Sequence, residues 1–60
     1  MNATEVQTHA RKLFEAEGPK AIAEAARRAA RLEAQDDREG ARVWRRIEAA
    51  LVLMRGPRET

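Results

Sequence analysis

Cysteine, serine and tyrosine are absent from this chain of 60 residues, and histidine, tryptophan and phenylalanine each occur once. Without cysteine the chain forms neither a disulfide framework nor a zinc site with thiolate ligands. Without serine as well, it lacks the two commonest nucleophilic side chains. Thr8 and His9 are adjacent, but neighbouring helical residues point about 100° apart, so they do not form a catalytic dyad. The composition predicts a protein that is not an enzyme.

Metal sites and phosphate-binding loops are not indicated either. His9 has no second imidazole or thiolate as a companion ligand, and we interpret it as a boundary residue that hydrogen-bonds locally. Asp36, Asp37 and Glu39 lack the alternating spacing of a calcium loop, and helix capping accounts for them. The three glycines are far apart, so no glycine-rich phosphate loop is present. We expect no metal and no cofactor.

Long apolar runs are also missing. No stretch approaches the about 18 apolar residues that span a bilayer, and the first residues, MNATEVQTHARK, contain no apolar signal-peptide core. The sequence therefore predicts a cytoplasmic protein with no membrane partner.

The net charge is only +2, from 12 basic and 10 acidic residues, which is weak evidence for binding to nucleic acid.

Large apolar side chains are scarce. A chain of this length buries only about 60% of its unfolded surface, so a small core stabilises a monomer weakly. Self-association is then the remaining way for the chain to gain stability, and a homodimer is its simplest closed form. Apart from Met1, the large apolar residues are Val6, Leu13, Phe14, Ile22, Leu32, Val43, Trp44, Ile47, Leu51, Val52, Leu53 and Met54.

Alanine, arginine, glutamate and leucine dominate, whereas strand-forming residues never alternate. Summed propensity favours helix almost throughout, and glycine, proline and aspartate divide the chain. The sequence predicts an all-α fold, a single domain over 1–60 in which three short helices form either a small bundle or a helical hairpin plus one helix. The helices are expected at about 4–17, 20–35 and 38–55, with a frayed tail at 57–60.

The first helix has two alternative start signals, because Thr4 with Gln7 and Asn2 with Glu5 both have the spacing of a capping box. Gly18 is suited to its end. At the second break, either of the aspartates at positions 36 and 37 is suited to the N-terminus of the third helix.

The second helix carries seven alanines, which cover a broad arc together with Ile22 and Leu32. This arc predicts that the second helix is the middle element, with neighbours on two sides. The third helix has a narrower apolar stripe. Its members are Val43, Trp44, Ile47, Ala50, Leu51 and Met54.

Val52 and Leu53 do not fit that stripe, since the helical wheel places them beside Arg45, Arg46 and Ala49. In one interpretation they are scattered exposed residues, or are covered by the tail or the first helix. In the other, which we favour, they bury against a second chain and so compensate for the thin core.

Two groups of arginines follow the polar faces of the second and third helices. If these faces lay side by side, six guanidinium groups would form a patch that binds phosphates. Glu24 and Glu48 are spaced to pair with some of them, and Trp44 has no nearby aromatic residue for a base-stacking platform, which favours core packing. The six are Arg27, Arg28, Arg31, Arg42, Arg45 and Arg46.

The stretch AARRAARLEAQDDREGARVWRRIEAAL, residues 25–51, resembles a single tetratricopeptide-type helical hairpin, with small residues on facing helices around an acidic turn. Ala29 and Ala41 correspond to the small contact positions, and Leu32 and Trp44 to the bulky ones. The chain departs from the family at position 28, where an apolar residue is preferred, and at position 53, where a proline is expected. A solenoid also needs about three such repeats.

The whole chain, and WRRIEAALVLMRGP near its end in particular, also looks like a group of short proteobacterial proteins. That likeness implies no activity. The sequence therefore predicts a non-enzymatic helical protein–protein interaction module, homodimeric, whose partner is itself or another protein. The alternative is a small nucleic-acid-binding regulator that uses the six arginines.

Overall fold

The computed structural model of the chain describes residues 2–56, which form three α-helices and no strand. Helix α1 spans Ala3–Glu17, α2 spans Lys20–Ala34 and α3 spans Arg38–Arg55. The predicted all-α fold is confirmed, and each helix boundary lies within one residue of its expected position. The tail predicted at 57–60 lies outside the described residues.

A capping box starts α1, and of the two predicted alternatives it is the earlier one. The Glu5 amide donates to Asn2 Oδ1 at 2.8 Å, and the Asn2 amide donates to Glu5 Oε1 at 3.2 Å. Gly18 ends the helix with φ at 69°, a left-handed conformation that glycine adopts without a steric penalty. Its amide donates to the Phe14 carbonyl at 2.7 Å, and Pro19 leads directly into α2.

The turn between α2 and α3 is a Schellman motif, in which amides beyond the helix end bond back to its last carbonyls. The Asp37 amide donates to the Leu32 carbonyl at 2.8 Å, and the Asp36 amide donates to the Glu33 carbonyl at 3.0 Å. Asp36 occupies the left-handed position with φ at 64°, where glycine is the usual residue.

Asp37 then caps α3. Its carboxylate accepts a hydrogen bond from the Gly40 amide at 3.0 Å, which satisfies one of the free amides of the first turn. A Cβ at position 40 would lie 2.8 Å from Asp37 Oδ2, so glycine there lets the carboxylate approach the helix end. Of the two aspartates considered for this role, the second is the cap.

The central helix is α3, which packs extensively against both other helices, whereas α1 and α2 touch only lightly. The prediction that α2 is the middle element is therefore wrong. Only one narrow line of α2 is buried, formed by Ala21, Ala25 and Ala29, while Ala23 and Ala30 are exposed. Alanine loses little when it faces water, so a broad alanine arc does not require a second neighbour.

The core is as thin as the composition predicts. Ile47 and Leu51 are the largest fully buried side chains. Most of the other buried positions are alanines, and larger apolar side chains surround the core in half-buried positions. The remaining buried residues are Val6, Ala10, Ala21, Ala25, Ala29, Ala41 and Ala50, and the half-buried ones packed against the core are Leu13, Phe14, Ile22, Val43, Trp44 and Met54.

Opposite effects are expected at the two aspartates of the α2–α3 turn. Asp36→Gly should stabilise the fold by about 0.5–1 kcal/mol, because glycine removes the penalty of the left-handed conformation. Asp37→Ala should destabilise it by about 1 kcal/mol through loss of the cap. Thermal unfolding followed by circular dichroism measures both. A lower melting temperature for Asp36→Gly would contradict the assignment of the motif.

Candidate functional site

The outward surface of α3 near its end carries exposed apolar side chains, which we call the α3 ridge: Ala49, Val52 and Leu53. Leu53 is 76% exposed and Val52 is 40% exposed, although the preceding residue, Leu51, is fully buried. Between positions 2 and 56, the exposed large hydrophobic residues are Val52 and Leu53. The helical wheel places both residues outside the apolar stripe of α3, and in the single chain both are exposed.

Two open grooves flank the α3 ridge. One lies between α1 and α3, where three alanines among its lining residues leave a shallow recess beside Leu53. The other lies on the opposite side of the ridge, where Arg45 and Glu48 border Val52. The first groove is lined by Ala3, Val6, Gln7, Arg46, Ala49, Ala50 and Leu53.

Arg45 links α3 to α2 beside the second groove. Its guanidinium donates to both carboxylate oxygens of Glu33, at 3.1 and 3.2 Å, and to Glu48 at 3.0 Å. The hydrogen bond from Arg45 lowers the pKa of Glu33, and the hydrogen bonds to Glu33 and Glu48 raise the pKa of Arg45. Arg45, on this side of the ridge, is therefore already paired with carboxylates of its own chain.

Glu24 holds two further arginines on α2. Arg27 lies 2.8 Å from one of its carboxylate oxygens and Arg28 lies 3.4 Å from the other. The hydrogen bond from Arg27, followed by that from Arg28, lowers the pKa of Glu24. The prediction that Glu24 and Glu48 pair with arginines of this group is confirmed.

Trp44 is half-buried and contacts side chains from both other helices. The Arg28 guanidinium lies 5.0 Å from the centre of the indole ring, a cation–π contact. The His9 ring meets the indole edge-on, with ring centroids 5.4 Å apart and planes at 80°. The expectation that Trp44 has no nearby aromatic partner is wrong. His9 packs against Trp44, and within residues 2–56 the side chain of His9 makes no hydrogen bond.

Five of the six arginines of the predicted basic patch line separate grooves. Arg28 and Arg31 flank Trp44, Arg42 and Arg46 border a groove with an acidic residue, and Arg45 lies next to the α3 ridge. In the described part of the chain, Arg31, Arg42 and Arg46 form no ion pair. The charges of the other three are partly compensated by the carboxylates described above.

Comparison of the chain with protein-family models, curated proteins and solved structures finds no match. The tetratricopeptide-type and proteobacterial resemblances thus stay predictions. Of the helices between residues 2 and 56, none is long and apolar enough to cross a membrane. Over the same range, no group of three or more histidine or acidic residues is placed to hold a metal ion.

The lowered pKa values of Glu24 and Glu33 predict a dependence of stability on pH. Their folded-state pKa lies below the ordinary value of 4.5, so folding favours the ionised carboxylates. This contribution is fully present above about pH 4.5 and is lost as the pH falls through the lowered pKa. We expect a lower melting temperature at about pH 3 than at about pH 6. In a Glu24→Gln, Glu33→Gln double variant, the difference in melting temperature between these two pH values should be smaller. An unchanged difference in that variant would contradict the assignment.

Proposed function

We propose that this chain is a cytoplasmic, non-enzymatic protein–protein interaction module that self-associates as a homodimer through the α3 ridge. The observation that carries the proposal is the 76% exposure of Leu53. Burying a leucine side chain contributes about 1.5–3 kcal/mol, and a symmetric dimer buries two of them.

The thin core supports self-association. Ile47 and Leu51 are the largest fully buried side chains, and much of the remaining buried surface comes from alanine. A partner that binds only the folded chain shifts the unfolding equilibrium towards the folded state. Dimerisation would thereby supply apolar burial that the single chain lacks. The absence of cysteine is compatible with the reducing cytoplasm.

The charges around the α3 ridge also support a docking role. Burying an unpaired guanidinium at an interface is costly, and interface centres are depleted of charged residues. Arg45, which borders the ridge, is already held by Glu33 and Glu48. A partner can therefore cover Val52 and Leu53 while this ion pair remains at the solvated rim.

Leu53→Glu should convert the dimer to a monomer. A carboxylate at this position would have to lose its hydration on docking, where leucine gains from burial, so we expect the dissociation constant to rise by about 100-fold or more. Sedimentation equilibrium at micromolar concentrations measures it. Ala23→Glu on the exposed side of α2 is the matched control, because it makes the same change in charge away from the ridge. A stable parent protein that is strictly monomeric would contradict the proposal.

The second candidate function is a small nucleic-acid-binding regulator. Arg31, Arg42 and Arg46 support it, because they form no ion pair within residues 2–56. Binding driven by phosphates weakens steeply with salt, and removing one arginine that binds a phosphate reduces the salt slope by about one.

A salt titration of binding to a DNA duplex tests this second candidate. For a phosphate-binding surface, replacing those three arginines with glutamine should flatten the dependence on salt. Electrophoretic mobility of the duplex measures the binding. Absence of binding even at low salt would remove nucleic acid as a partner.

A further inference from the structure

The face around the α3 ridge combines a projecting side chain with a recess. Leu53 stands out from α3, and the alanine-lined groove between α1 and α3 lies directly beside it, bordered by the same Leu53 and by Ala49. A surface that carries both a knob and a matching recess is complementary to its own copy after a rotation of half a turn. This is the condition for an isologous two-fold interface.

We propose that two copies dock about a two-fold axis with their α3 helices antiparallel, so that each Leu53 lies in the partner's groove, beside the partner's Ala49. This arrangement rests on the proposed function and specifies the geometry of that same surface. The α1 and α3 helices of both copies then form a four-helix arrangement. The alanines of the groove provide the space that the leucine side chain fills.

The register of this docking places a cation of one copy beside the negative end of the helix dipole of the partner's α3, in the turn that also carries Arg55. When residue 53 lies beside residue 49 of an antiparallel copy, Arg46 falls beside the end of the partner's α3, near position 56. The last turn of a helix carries partial negative charge on its free carbonyls, and a cation nearby is favourable. Arg46 lines the groove and has no carboxylate partner within the described residues. This complementarity favours a second copy over an unrelated apolar partner.

The surface required is compatible with the size of the chain. A stable interface at the small end of the usual range buries about 600 Å² on each copy. That is roughly a seventh of the exposed surface of 4229 Å². The α1–α3 edge supplies the groove and the ridge, while the groove beside Arg45 and Glu48 stays at the rim with its ion pair.

Cysteine cross-linking tests the register, because the natural chain has no cysteine. Ala49→Cys and Leu53→Cys chains are mixed in equal amounts, allowed to exchange and oxidised with oxidised glutathione. The products differ in mass and are separated by mass spectrometry. The docking predicts that the mixed disulfide between positions 49 and 53 exceeds the statistical half of the cross-linked product. A majority of 53–53 disulfides would overturn it, since it places the two residues 53 side by side at the axis, which this register does not.

Arg46→Gln provides a second readout that needs no cross-link. Two such contacts form in each dimer, so we expect association to weaken about tenfold. Arg42→Gln, one turn earlier and beyond the partner's helix end in this register, should change it less than about twofold. Equal effects of the two variants would overturn the register. Circular dichroism verifies that both variants retain their helices.

The cross-linking and sedimentation results separate the geometry from the proposed function. A strictly monomeric parent protein would overturn both. A parent that dimerises, loses its dimer with Leu53→Glu and yet forms mainly 53–53 disulfides would overturn only the proposed register of docking.

Discussion

Contact between the alanine line of α2 and the central helix α3 is the constraint on which the rest of the structure depends. Ala21, Ala25 and Ala29 are completely buried, and none of them occupies much volume. Small residues let two helix backbones approach closely, but they leave little space for larger side chains between them. The fully buried large residues are consequently few, and the remaining apolar side chains lie around the margin of the core or on the surface.

Local signals made the helices predictable, whereas their arrangement depended on contacts that sequence spacing does not reveal. The capping box at Asn2 and the break at Gly18 act within a few residues, so the boundaries could be predicted. The choice of central helix could not, because alanine is tolerated both in a contact and in water. The contact of His9 with Trp44 joins α1 to α3, and no periodicity within either helix indicates it.

At the candidate site, too, features within one helix could be predicted, whereas features that depend on contacts between helices could not. The position of Leu53 outside the apolar stripe follows from the geometry of a single helix, and the helical wheel was sufficient to predict that position. The distribution of the arginines depends on how α2 lies against α3, because Glu33 reaches Arg45 only across the two helices. For this reason the charges expected in one basic patch are divided among separate grooves, and some are compensated by neighbouring carboxylates.

The position of Trp44 has a practical consequence. The indole belongs to α3, touches α1 through His9 and touches α2 through Arg28. It is the single tryptophan of a chain without tyrosine. Its intrinsic emission therefore comes from one chromophore at the junction of all three helices, and detachment of either outer helix would alter its surroundings. The molecule thus contains its own optical reporter of cooperative folding, without an attached label.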